Sequence, residues 1–169
     1  LTGNAEDVVK VQADTVEAAG AWANNGVPYE VQGAITFTAD TSFADNLEVD
    51  FLGEAYVYDT SSTPVLTIGA GSRLGFLGTG LTVGNITYGY TGALVADGSN
   101  GQITFTSAAS SASAGDWKCI EFTSAAQPPS MLDNVLIEFG GMTDGANLLI
   151  DVNTVPVMNS LIQNGSGIG

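Results

Sequence analysis

The chain has 169 residues, of which 44% are hydrophobic and 12% charged, enough apolar material for one domain with a true core and too little charge for bulk disorder. Its net charge is −15, with Lys10, Arg73 and Lys118 as the three basic residues. That balance excludes nucleic acid and anionic membrane surfaces as partners, because both need clustered cations. No apolar run approaches the ~18 residues of a membrane span, so no membrane insertion is expected.

In chain order, residues 1–26 differ from the rest and are expected to be a cap or lead-in segment. Ala5 to Ala19 could form a short helix closed by Gly20, with Val9, Ala13 and Val16 on one face; the valines equally permit a strand. From Val27 onward the pattern is short strands: Tyr29–Gln32, Ile35–Thr38, Leu47–Phe51, Ala55–Tyr58, Val65–Ile68, Arg73–Phe76, Leu81–Val83, Ala93–Val95, Ile103–Thr106, Trp117–Phe122, Val135–Phe139, Leu148–Asp151 and Leu161–Ile162. In Ile35-Thr-Phe-Thr38, Ile35 and Phe37 would point inward; in Leu47-Glu-Val-Asp-Phe51, Glu48 and Asp50 would point outward. Between the strands lie glycine corners such as Gly69-Ala-Gly71, Gly78-Thr-Gly80 and Gly140-Gly141.

Short echoes run through this body. Ile103-Thr-Phe-Thr106 returns 17 residues on as Ile120-Glu-Phe-Thr123, and again as Ile137-Glu-Phe-Gly140. Asn134-Val-Leu-Ile-Glu-Phe-Gly-Gly141 returns 25 residues on as Asn159-Ser-Leu-Ile-Gln-Asn-Gly-Ser166. Echoes in sequence order favour stacked units over a sandwich or closed barrel. The expected fold is all-β: a right-handed, single-stranded parallel β-helix (β-solenoid) over residues 27–169, at roughly 20–25 residues per coil and about six coils. The 17-residue echoes would link strands on different faces, or coils shortened at a corner. With no cap after Gly165-Ser-Gly-Ile-Gly169, the chain is expected to be the front part of a longer solenoid, or to have this end covered by a partner.

The order of these signals resembles the parallel β-helix proteins of bacterial cell surfaces, a branch of the pectate-lyase-like superfold. The residues carrying the resemblance are Tyr29-Glu-Val-Gln-Gly33, Leu66-Thr-Ile-Gly-Ala-Gly71, Leu74-Gly-Phe76, Gly92-Ala-Leu-Val-Ala-Asp-Gly98, Ile103–Ser107, Gly115–Ile120 and Leu132–Gly141. The strand usually written Trp-Gly-x-Ile departs here, with Lys118 and Cys119 after Trp117. The resemblance implies a secreted or surface-anchored structural module, in adhesins or carbohydrate-contacting proteins, and fixes no single activity.

No catalytic constellation accompanies this pattern. Histidine is absent, removing the commonest general base and metal ligand together. Cys119 is the single cysteine, so it makes no internal disulfide and no zinc site, and its place beside Trp117 suggests a small buried thiol. Arg73 or Lys118 with Glu121 or Glu138 could serve a lyase, but solvated charges are the better reading. Glu48 and Asp50 at i, i+2, and Glu121 and Glu138 at matching echo positions, are the candidate carboxylate pairs. Stacked on neighbouring strands they would want a cation, and calcium takes such oxygen ligands. Outward Thr36/Thr38 and Thr104/Thr106 pairs suggest, more weakly, an ice-binding array. Tyr56/Tyr58 and Tyr88/Tyr90 each project to one side at i, i+2 and, if exposed, would offer a platform for sugar rings.

The expectation is therefore a non-enzymatic, extracellular structural or adhesive module of a bacterial surface protein, whose partner is another extracellular protein or a polysaccharide. The alternative is a polysaccharide-binding module assisted by calcium; a carbohydrate-active lyase or hydrolase ranks below both. No cofactor is required in the first reading. Leu1-Thr-Gly-Asn4 is expected to be a mature or trimmed start, with no signal peptide in the chain, so the extracellular location rests on indirect argument.

Overall fold

A computed structural model describes residues 7–12, 14–151 and 155–167. The backbone visits three faces in strict rotation. The first coil consists of β1 (Val9–Val11), β2 (Thr15–Val16) and β3 (Gly20–Trp22), and the second of β4 (Tyr29–Val31), β5 (Ile35–Phe37) and β6 (Thr41–Phe43). Then come β7 (Glu48–Phe51), β8 (Ala55–Val57) and β9 (Val65–Ile68), followed by β10 (Arg73–Phe76), β11 (Leu81–Val83) and β12 (Ala93–Asp97). The fifth coil is β13 (Ile103–Ser107), β14 (Ile120–Phe122) and β15 (Met131–Asp133); the sixth is β16 (Val135–Glu138), β17 (Leu148–Ile150) and β18 (Val157–Met158), and β19 (Leu161–Gln163) stacks on β16.

Every third strand joins the same sheet, giving one sheet of seven strands and two of six. All the ladders between these strands are parallel. We refer to the sheets by their first strands as the β1, β2 and β3 sheets. The architecture is all-β and solenoidal, and the described residues contain no α-helix. Val9–Val11, Thr15–Val16 and Gly20–Trp22 pair in register with the second coil, so the described part of the valine-rich stretch left open between helix and strand is strand; Ala5, Glu6 and Ala13 of that stretch lie outside the described residues. Coil length varies with the loops. Stacked partners are 20 residues apart from Val9 to Tyr29, 25 from Val49 to Leu74, 31 from Leu74 to Phe105, 32 from Phe105 to Ile137 and 25 from Ile137 to Ile162.

Alternation sends one row of side chains per sheet into a shared tube. In the β1 sheet, Val49, Leu74, Phe105 and Ile137 stack in register and are fully buried. In the β2 sheet the buried row is Phe37, Val57, Val83 and Phe122. Phe43, Ile68, Ala96 and Leu132 form the row of the β3 sheet. At one end Trp22 lies over Phe43 and Tyr29, with ring centroids 4.9 and 5.3 Å away. At the other end Ile162 continues the Ile137 row and is 45% exposed, with no further strand stacked on it among the described residues.

Before β7, β10, β16 and β19 the turn into the β1 sheet carries a left-handed residue: Asn46, Gly71, Asn134 and Asn159, with φ of 56°, 74°, 48° and 50°. Asparagine and glycine tolerate this region best. The 25-residue echo is thus the corner and strand of two stacked coils. The 17-residue echoes are different: Ile120–Phe122 lies in the β2 sheet, whereas Ile103–Phe105 and Ile137 lie in the β1 sheet. Position in the coil, not a fixed step, sets which residues meet. The two Thr-x-Thr pairs consequently fall on different sheets, with Thr36 on β5 and Thr104 and Thr106 on β13, and do not make one flat array.

Candidate functional site

The outer face of the β2 sheet carries a continuous row. Thr15, Thr36, Tyr56, Thr82, Glu121 and Leu149 occupy successive rungs in register. Most rungs are small or aliphatic, so Tyr56 and Glu121 stand out along the row.

Between β11 and β12 the chain makes an excursion. Gly84 and Gly89 adopt φ of 78° and 68°, and Asn85 and Tyr90 pair as an antiparallel bridge with mutual backbone hydrogen bonds of 2.7 and 3.0 Å. The resulting finger leans back over the preceding coil, since Asp59 bridges Thr91 and donates its N–H to the Thr91 carbonyl at 3.0 Å. This brings together the two tyrosine pairs that the sequence shows only as separate i, i+2 pairs. Tyr56 lies 5.7 Å from Tyr58, Tyr58 lies 6.0 Å from Tyr90, and Tyr90 stacks on Tyr88 at 5.4 Å with a 24° interplanar angle. The four rings form one strip running from the sheet onto the finger. Tyr88 is 67% exposed and Ile86 beside it 63%, whereas Tyr56 and Tyr58 are half-buried.

Two depressions flank the row and share Tyr56, Thr82 and Glu121. One, of about 250 Å³, is bounded by Tyr58, Asn85 and Ile86. The other, of about 210 Å³, is bounded by Glu54, Lys118, Cys119 and Asp144. Together they make a shallow groove lying along the sheet, with apolar rings at one end and ionic groups at the other. In the ionic half, Lys118 forms an ion pair with Glu54. That hydrogen bond raises the lysine pKa. Glu54 also accepts from the Gly80 N–H at 3.1 Å, which fixes its carboxylate. Burial raises the Tyr56 phenol above its ordinary value, with Glu54 adding to the shift. The Cys119 thiol is pushed up to about 11, first by burial and then by Glu121, Asp144 and Glu54. The cysteine is therefore an inert wall of the groove, a small buried thiol and not a nucleophile.

The remaining candidates are placed apart from one another. Glu48 and Asp50 do share one outer face, but Arg73 sits between them, donating to Glu48 Oε1 at 3.1 Å and Asp50 Oδ1 at 2.8 Å. Its second nitrogen donates to the Ser107 carbonyl at 3.0 Å. Arg73 is thus a cross-coil clamp, a partly solvated charge compensated by Glu48 and Asp50. Glu121 and Glu138 do not stack on neighbouring strands: Glu121 is on β14 in the β2 sheet and Glu138 on β16 in the β1 sheet. Thr82 lies 3.5 Å from Glu121, and Gln163 donates to Glu138 at 2.9 Å. Among the described residues no three His, Cys, Asp or Glu side chains are grouped to hold a metal ion. The calcium expectation loses the carboxylate ladder on which it rested.

Glu54, Thr82 and Asp144 were not singled out from the sequence. Thr82 carries a signal in the alternation of Leu81-Thr-Val83; Asp144 carries none, because it reaches the groove on a loop between β16 and β17. Comparison with protein-family models, curated proteins and solved structures finds no match for this chain.

Proposed function

We propose that the chain is a non-catalytic, extracellular adhesive module that contacts polysaccharide through the tyrosine strip. The observation that carries this reading is the meeting of Tyr56, Tyr58, Tyr90 and Tyr88 in one partly exposed strip beside a groove. Aromatic faces present flat apolar area at small entropic cost, and their hydroxyls stay free to hydrogen-bond. A rigid solenoid suits a spacer, since each coil is held by its neighbours through ladders on all three faces. The winding in this reading is right-handed, the hand that parallel crossovers overwhelmingly adopt. It also retains the likeness to pectate-lyase-like surface proteins and a bacterial surface location. The acidity of the chain, at −15, keeps such a module soluble. Sugar contact needs no cofactor here.

Affinity electrophoresis through gels containing soluble neutral β-glucan, xylan or mannan tests the proposal. The wild-type chain should be retarded by at least one of them, with or without EDTA. Tyr58→Ala and Tyr88→Ala should each weaken the retardation about tenfold, a loss of about 1.4 kcal/mol per ring. Circular dichroism confirms that both variants fold. Retardation by none of a broad polysaccharide panel, or retardation unaffected by either substitution, overturns it.

A further inference from the structure

We infer that the groove selects glycans bearing amines, such as glucosamine polymers, over neutral ones and rejects uronic-acid polymers. This rests on the carbohydrate reading and deepens it. The argument is the charge along the path a sugar chain would follow. The strip runs from Tyr88 through Tyr90 and Tyr58 to Tyr56, the row continues over Thr82 to Glu121, and the ionic half adds Glu54 and Asp144 against the single cation Lys118. Lys118 is already spoken for by Glu54, leaving Glu121 and Asp144 as uncompensated anions of the groove. Both act on the same point, for each raises the pKa of the Cys119 thiol that lines the wall between them.

A glycan carboxylate laid on this path would meet two like charges and no available cation. Arg73 cannot supply one, since it is on the β1 sheet and clamped by Glu48 and Asp50. An alkylammonium on a sugar seated near Tyr56 would instead find Glu121 and Asp144 as acceptors. It could also lie over a ring face as a cation–π contact. Charge pairs in such a half-exposed groove are individually modest and salt-sensitive, so the selectivity should be visible at low ionic strength and fade at high.

The experiment is titration calorimetry with three hexamers: β-1,4-linked glucosamine, its N-acetylated counterpart, and α-1,4-linked galacturonate. At about 20 mM salt the amine hexamer should bind about tenfold more tightly than the N-acetylated one, and galacturonate should not bind. The preference should shrink to less than about threefold at 0.5 M salt. A general polyanion would also attract a polycation, so position must be tested. Glu121→Gln with Asp144→Asn should abolish the preference, bringing the two hexamers to the same affinity within about threefold. Glu17→Gln with Glu30→Gln, an equal charge change away from the groove, should preserve it. Equal affinities for the first two hexamers, tightest binding of galacturonate, or equal loss in both double variants overturns the inference while leaving the carbohydrate reading standing. Binding of no hexamer also overturns the inference, and the carbohydrate reading falls with it only if the neutral polysaccharides fail to retard the chain as well.

Discussion

The indole of Trp117 stacks on the ring of Phe76, with centroids 4.9 Å apart and planes 20° from parallel. Phe76 in turn stacks on Phe51 at 5.1 Å, so three aromatic rings line up along the tube. Trp117 reaches them from the turn before β14, not from a strand, and its Nε1 donates to the Glu138 carbonyl at 2.8 Å. It is wholly buried. Trp117→Ala should therefore cost about 3–5 kcal/mol in a urea melt followed by circular dichroism. Trp117→Phe should cost less, because it keeps the stack and loses only the hydrogen bond and some volume. A Trp117→Ala variant as stable as wild type would show that the stack does not hold the fifth coil.

Arg73 links β7, β10 and β13 through Glu48, Asp50 and the Ser107 carbonyl. Its side chain is a third exposed, so screening discounts the ion pairs. Arg73→Gln should destabilise by about 1–2 kcal/mol, partly from the exposed pairs and partly from the carbonyl left unpaired. In about 0.5 M salt the difference should fall but not vanish, because the hydrogen bond to Ser107 is not screened. Complete loss of the difference in salt would reduce the clamp to surface electrostatics.

Gly92 ends the finger that carries Tyr88 and Tyr90. A Cβ there would run into the carbonyl oxygen of Val57 on the preceding coil. Since that contact is with backbone, no side-chain rotation relieves it. Gly92→Ala should cost about 1–3 kcal/mol and tilt the finger away from Tyr58. A melt unchanged by the substitution would mean that the coils separate freely at this point.

The thiol of Cys119 has a pKa raised to about 11, above the 9.0 of a free group. At pH 8 the folded protein should resist iodoacetamide, while protein unfolded in urea should be alkylated at once. The sign for stability follows from the raised value. Below about pH 7 the thiol is protonated in both states and contributes no pH dependence. From pH 9 to 11 the unfolded chain releases the proton first, so the folded state loses stability as pH rises. Cys119→Ser should flatten that part of the pH profile. A steep decline persisting in the serine variant would assign it to other groups.

Asp59 is held at about 2 rather than 3.8 by hydrogen bonds from Ser62 and from Thr60 and Ser61. Its Oδ2 accepts from the backbone N–H of Ser61 at 3.1 Å and of Ser62 at 3.0 Å. The depressed value makes this turn stabilising above pH 4 and progressively lost as pH falls toward 2. Asp59→Asn should lower the urea midpoint at pH 7 and make no difference near pH 2. A constant difference across that range would exclude the charge as the cause.

Much of this molecule is local. The alternation in Ile35-Thr-Phe37, Leu81-Thr-Val83 and Ile120-Glu-Phe122 dictates strands with one apolar face, and the asparagine and glycine corners dictate where each strand ends. Those features, repeated in order, were sufficient for parallel stacking to be read from the sequence. The segment before Val27 was ambiguous because its four valines with few turn signals suit helix and strand alike; pairing of its described residues with β4, β5 and β6 decides it. The site was not legible in the same way. Coils of unequal length mean that residue spacing does not reveal which residues share a rung, so Glu121 and Glu138 look stacked in sequence and fall on different sheets. Likewise the two tyrosine pairs become one strip only because the finger at Gly84–Gly92 folds back over the Asp59 loop. Side-chain direction is set by nearest neighbours along the chain and is written in the sequence. Which loops and faces meet depends on long-range backbone pairing, and only the tertiary structure decides that.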